Sequence, residues 1–181
     1  MTKKNIILSG TLILIALFAV GCLVSGTFVI VENFEFSFVS GFYADAVDLT
    51  DNEDWADHRD NLDKVEVVGF EVWVTNNSSN DFSFWAYMDD YDNACQNQTC
   101  ADNRTTKFLI LDTLTIPAST GSSSYKLVSY AQSFNYIQNL DKIKKMVFDG
   151  SFNFYGYSSD GGASGTVDSI KAIITVNASD T

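Results

Sequence analysis

The chain predicts an all-β fold: an antiparallel β-sandwich of about seven strands, immunoglobulin-like or jelly-roll-like, with two short helices at its ends or edges. Three observations carry this. Segments of alternating apolar and polar residues recur, most clearly in KVEVVGFEVWVT and TVDSIKAIITV. Turn-rich stretches such as NNSSND and SSDGGASG separate them at spacings typical of a sandwich. No segment offers the long helical crossovers that a parallel sheet needs.

The first element is not a strand. MTKKNIILSGTLILIALFAVGC has a basic start at Lys3 and Lys4, an uncharged apolar stretch from Ile6 to Val20, and Gly21 before Cys22. That is the anatomy of a signal peptide. No charge interrupts the run from Ile6 to Val31, so an uncleaved helix of about 39 Å would also reach across a hydrocarbon core of about 30 Å. The pattern beyond Phe28 argues against that. Phe28, Ile30, Phe34, Phe36 and Phe38 share one parity, and Asn33, Glu35 and Ser37 the other. Only Glu32 breaks the apolar set, and the segment reads as a half-buried strand from about Thr27.

Ala19, Val20, Gly21 and Cys22 resemble the lipobox of bacterial lipoproteins, with Ala where Leu is commonest. The resemblance covers only residues 1–22. It implies cleavage before Cys22, diacylglycerol on its sulfur and a further acyl chain on its new amino group, a stable anchor. Residues 1–21 are then the signal peptide, 22–26 a short tether and 27–181 a single domain. Everything after residue 22 is exported. In a cell with two membranes, Leu23 lacks the Asp that retains such lipoproteins in the inner one, which implies the outer membrane or cell surface. A transmembrane anchor and plain secretion are the alternatives.

Along the domain, TDNEDWADHRDNL reads as a short amphipathic helix, with Thr50 and Glu53 at capping-box spacing and Trp55 and Leu62 on one apolar edge. KVEVVGFEVWVT carries Val68, Phe70, Val72 and Val74 on one face and Val65, Val67 and Trp73 on the other, which predicts a central strand. FSFWAYM, KFLILDTLTI and SYKLVSY read as strands. In FNYIQNLDKIKKMVF the period changes: Ile137, Leu140, Ile143 and Val147 recur at helical spacing, and Asp149-Gly150 ends the helix. SFNFYGY and TVDSIKAIITV are the last strands.

Composition bounds function. The chain has 11 basic and 23 acidic residues, a net charge of −12, more negative still once Lys3 and Lys4 are removed. Such a surface has no basic stripe for nucleic acid or anionic headgroups. With Cys22 committed to lipid, Cys95 and Cys100 form an even pair that suits a disulfide in an oxidising compartment. A single pair at this spacing fills neither a zinc site nor a CxxC redox motif.

Candidate chemistry is sparse. His58 is the sole histidine, on a charged helical face, and no GxSxG, HExxH or phosphate loop is present. No catalytic residue is assigned, although carboxylate pairs among Glu32, Glu35, Glu53, Glu66 and Glu71 stay open. Two acidic stretches offer oxygen ligands for calcium, one around Asp45 to Asp57 and the other at Asp89, Asp90, Asp92 and Asn93. Trp85, Tyr87, Tyr155 and Tyr157 are placed either to stack on sugars or to fill a second core. Asn-x-Ser/Thr triplets begin at Asn76, Asn77, Asn97, Asn103 and Asn177. The expectation is a lipid-anchored, extracytoplasmic β-sandwich with a structural or protein-interaction role at the envelope. A carbohydrate-binding or adhesive module, calcium-stabilised or not, is the alternative, and a glycan-active enzyme comes third.

Overall fold

The computed structural model describes residues 26–37, 41–92, 94–121, 124–159 and 165–178. The signal peptide, Cys22 and most of the tether lie outside the described residues, as does Asn93. Among the described residues no helix is long and apolar enough to cross a membrane.

Eight strands are described, one more than the sequence pattern suggests. They are β1 (Gly26–Ser37), β2 (Phe42–Asp48), β3 (Leu62–Asn76), β4 (Phe82–Asp89), β5 (Phe108–Ile116), β6 (Ser124–Val128), β7 (Ser151–Ser158) and β8 (Gly165–Ala178). They form two antiparallel sheets, β1-β8-β3-β6 and β2-β7-β4-β5. This order, four strands to a sheet, is the jelly roll rather than the immunoglobulin arrangement. The extra strand is β2, whose FYADAVD offers only small or acidic residues between Tyr43 and Val47, so its alternation is faint.

The central position of β3 is as expected, between β8 and β6. Its face assignment is not. A register irregularity between Val65 and Val67 shifts the phase, so Val65 faces inward together with Val68, Val72 and Val74. Trp73 stays outside.

Among the described residues four short α-helices accompany the sheets, against the two expected: α1 (Glu53–His58), α2 (Gln98–Asp102), α3 (Tyr130–Ser133) and α4 (Leu140–Asp149). The expected Thr50–Glu53 capping box does not form. The Thr50 hydroxyl donates to Asp48 at 2.7 Å inside a 3-10 turn, and Asn52 caps α1 by accepting from the Trp55 N–H. Leu62 opens β3 rather than ending a helix. The later helix begins at Leu140, because Asn139 takes a left-handed conformation (φ 54°) and Ile137 bridges to Leu111 of β5. Gly150 ends it as expected, at φ 90°, donating to the carbonyls of Met146 and Val147.

Inward residues of both sheets pack with Leu49, Trp55 and, from α4, Ile143 and Val147. Glu32, the break in the apolar face of β1, is half-buried at an otherwise apolar cavity of about 90 Å³ between the sheets. Asn52 Nδ2 donates to its carboxylate at 3.1 Å, so the same side chain caps α1 and satisfies this acid. His58 is half-buried, its ring stacked on Phe28 at 3.8 Å between centroids.

Candidate functional site

The two sheets have outer faces of different character. In β4, Phe82, Phe84, Ala86 and Met88 enter the sandwich, which sends Trp85 and Tyr87 outward. Their partners across β7 are Tyr157 and Tyr155. All four predicted aromatic residues therefore meet: Trp85 stacks on Tyr157 at 6.0 Å, and Tyr87 meets Tyr157 edge-on at 5.3 Å.

They do not form an open platform. Tyr155 and Tyr157 are buried, packed with Phe42, Ala44, Cys95 and Ala101 under the 90–107 segment. The segment is bolted to the sheet by name. The Cys95 N–H donates to the Tyr155 hydroxyl at 3.3 Å, and Asn153 Nδ2 donates to the carbonyls of Asp90 and Tyr91. Lys107 lies 4.8 Å from the Tyr87 ring centre and 5.0 Å from that of Tyr157, and donates to the Tyr157 hydroxyl at 3.0 Å. The same hydroxyl donates to Asp102 at 3.0 Å. Burial, reinforced by that bond to Asp102, pushes the Tyr157 hydroxyl well above the ordinary tyrosine range. Tyr155 and Tyr157 thus belong to a second core, with Trp85 and Tyr87 half-buried against it.

Cys95 and Cys100 are joined by a disulfide with Cα atoms 5.4 Å apart. Cys100 lies in α2, which Asn97 caps by accepting from the Cys100 N–H at 3.0 Å.

Three of the four candidate calcium ligands, Asp89, Asp90 and Asp92, are described. Asp89 is buried, with one carboxylate oxygen accepting from Arg104 Nε and the other from the Thr106 hydroxyl. The Arg104 guanidinium is thus paired with Asp89, and it also donates to the Asp92 carbonyl at 3.3 Å. Asp90 and Asp92 are exposed. No group of three or more His, Cys, Asp or Glu side chains suited to a metal occurs among the described residues. In the other acidic stretch, Asp48 and Asn52 act as caps. Asn76, the first of the glycosylation triplets, is buried and donates to the carbonyls of Asn80, Ile116 and Pro117.

The opposite outer face, on β1-β8-β3-β6, presents a second set of aromatics. Trp73 on β3 is 41% exposed and Tyr125 on β6 is 63% exposed, and their rings stack at 5.0 Å with 11° between planes. They are diagonal neighbours, since Trp73 pairs with Leu127 and Thr75 with Tyr125. Leu127 is 54% exposed beside them, and Val29 and Val31 of β1 are exposed on the same sheet. An open groove of about 370 Å³ runs along Glu71, Trp73, Leu127, Asp168, Ser169 and Lys171.

Sequence pattern hides this site. Apolar residues occupy both parities of β3, and β6 is too short to reveal a phase. The available signal was Trp73 sharing parity with Glu71 and Thr75. In β6 the pattern is inverted: Tyr125 and Leu127 are exposed, while Lys126 is half-buried, 5.4 Å from the Tyr136 ring centre. An inward lysine on an edge strand guards against edge-to-edge pairing with another sheet.

No family model matches the chain, and no curated protein matches it in sequence. Among solved structures it is similar to one of Desmodium yellow mottle tymovirus, with 15% identity over 86% of this chain and 90% of that one and a TM-score of 0.35. It is similar also to one of turnip yellow mosaic virus, with 6% identity over 87% and 84% of the two chains and a TM-score of 0.36, and to one of tobacco necrosis virus, with 10% identity over 86% and 98% and a TM-score of 0.29. The jelly-roll assignment rests on the strand order itself.

Proposed function

We propose that the chain is a lipid-anchored, extracytoplasmic interaction module of the cell envelope, and not an enzyme. The observation that carries this reading is the contrast between the two outer faces. One has its aromatics packed, over β4 and β7, with the disulfide-bonded segment. The other exposes Val29, Val31, Trp73, Tyr125 and Leu127 on regular strands. Trp73, Tyr125 and Leu127 form one exposed apolar cluster across β3 and β6, the ordinary mark of a contact surface, and Val29 and Val31 lie apart from it on β1. The lipobox residues before Cys22 supply the anchor, and the Cys95–Cys100 disulfide suits an exported domain.

Two measurements test the parts separately. The non-reduced intact mass of protein extracted from host membranes should match residues 22–181 with acyl chains, less two hydrogens. A mass that includes residues 1–21 would replace the lipid anchor with a transmembrane one. A photo-crosslinking residue at position 127 should capture an envelope component in cells, whereas one at position 113, exposed on the other sheet, should not. Equal capture at both positions would remove the argument from the bare face.

A further inference from the structure

We propose that the groove lined by Trp73, against which Tyr125 stacks, is a binding site for a neutral saccharide chain. This rests on reading the β1-β8-β3-β6 outer face as the interaction face, and names what it takes. Three features make the groove a built site. Trp73 lines the groove and Tyr125 stacks against it, so the pair holds the indole in place and leaves the part of its electron-rich face not covered by Tyr125 open to solvent; the C–H face of a pyranose is apolar and weakly positive and stacks on such a ring. Trp and Tyr also bind at low conformational cost, having few rotatable bonds. The second feature is a register irregularity in β8 opposite Trp73 and Val74. Trp73 pairs with Ser169 and Val74 with Val167, so Asp168 is the extra residue. Val167 and Ile170 are buried, while Asp168 is exposed and Ser169 half-buried between them. The bulge thereby turns a carboxylate onto the outer face beside the rings, and the Thr75 hydroxyl donates to that carboxylate and fixes it. Third, the groove mixes acceptors (Glu71 and Asp168) with donors (Lys171 and the Ser169 hydroxyl), the combination that hydroxyl groups of both roles require.

Charge selects the occupant. On a chain of net charge −12, an anionic ligand is repelled. A second copy of this chain is repelled for the same reason. A neutral sugar chain escapes that penalty and uses both signs of side chain in the groove. This assignment moves the saccharide site away from Trp85, Tyr87, Tyr155 and Tyr157, whose rings are engaged under the disulfide-bonded segment.

The test uses the full-length protein, solubilised in detergent from host membranes, titrated with cellohexaose, xylohexaose, maltohexaose and chitohexaose. Calorimetry and tryptophan emission are the readouts. At least one oligosaccharide should bind and perturb the emission. Trp73→Ala should weaken it about tenfold or more, the loss of roughly one stacking contact, and Tyr125→Ala should weaken it less, by freeing the indole that it stacks against. Asp168→Asn should weaken it while leaving the aromatic surface intact. Trp85→Phe, on the other sheet, should leave affinity unchanged. Far-ultraviolet circular dichroism identifies any variant that fails to fold, and Asp168→Asn keeps the question answerable if the ring variants do. Silence across all four sugars overturns the assignment, as does binding that survives loss of both rings. Silence combined with envelope-protein crosslinks at position 127 would reject the saccharide and keep the interaction face. Silence with no crosslink there would reject both.

Discussion

Gly69 shows how one residue's size sets local architecture. Strand β6 ends at Val128 opposite Val72, so beyond that point β3 loses its neighbour. The chain turns at Ser129, whose N–H donates to Gln132 Oε1, and α3 takes over the edge. The Phe70 N–H then finds the Ser133 hydroxyl at 3.2 Å in place of a strand carbonyl. Tyr130 lies against Gly69 so closely that a Cβ there would fall 2.3 Å from its ring. Glycine is required here for space, since its φ is ordinary. Gly69→Ala should therefore cost about 1–3 kcal/mol in denaturant unfolding, as other overpacked sites do. In a Tyr130→Ala background the added cost should vanish, because the atom in the way is gone. An equal cost in both backgrounds would mean that the ring contact is not the reason. The sequence shows a glycine inside a strong strand pattern, which signals a bulge or a close approach. It does not show that the approaching group is an aromatic ring 61 positions later.

At the scale of elements, the 90–107 segment is the one most dependent on a covalent tie. It closes over Tyr155 and Tyr157 with a disulfide spanning five positions, a capped turn of helix, and the buried Asp89–Arg104 pair. Reduction should lower stability by about 2 kcal/mol in the chain-entropy picture, a fall in melting temperature of about 4–8 °C for a domain of this size. Near-ultraviolet circular dichroism should change with it, since the buried tyrosines lose their cover. An unchanged melting temperature would show that the Asp89, Asn153 and Tyr155 contacts hold the segment unaided. The cysteine pair was legible in the sequence because, once Cys22 is set aside, two cysteines five positions apart have few options. The strands of alternating large residues were legible too, for period two survives without tertiary context. What stayed hidden depends on partners. β2 has only Val47 buried, so its pattern carries little signal. The aromatics of β4 and β7 share a face, as alternation implies, but alternation does not say what covers that face. Likewise both faces of β3 are apolar, and only β6 and the bulge at Asp168 show which one is open. Asp89 looks like a calcium ligand beside Asp90 and Asp92 until Arg104, fifteen positions on, takes its carboxylate.

For the whole molecule, the consequence of jelly-roll order is that the last strand is a central one. β8 lies between β1 and β3, pairing Gly26 with Ala178 at one end and Asn76 with Gly165 at the other. It contributes Val167, Ile170, Ile174 and Val176 to the core, touching both main clusters. The β1-β8-β3-β6 sheet therefore has no interior until the final segment of the domain is in place. Pairings separated by about 150 positions carry a large loop-closure cost, which places folding on the slow, millisecond-to-second side of small-domain behaviour. Slow completion of the sheet suits a protein that we propose crosses a membrane before it folds. Ending the chain after residue 164 should then remove more than one strand's worth of stability. β1 and β3 would be left without their shared neighbour, and Ile30, Val65 and Val72 without cover. The truncated protein should show no cooperative urea transition, and its far-ultraviolet circular dichroism should lose the β signal. An edge strand would be expected to behave differently, costing stability but leaving a transition. If the truncated chain kept a sharp transition with an unchanged urea dependence, the two sheets would have to be stable without β8, and this account of how the sandwich is closed would be wrong.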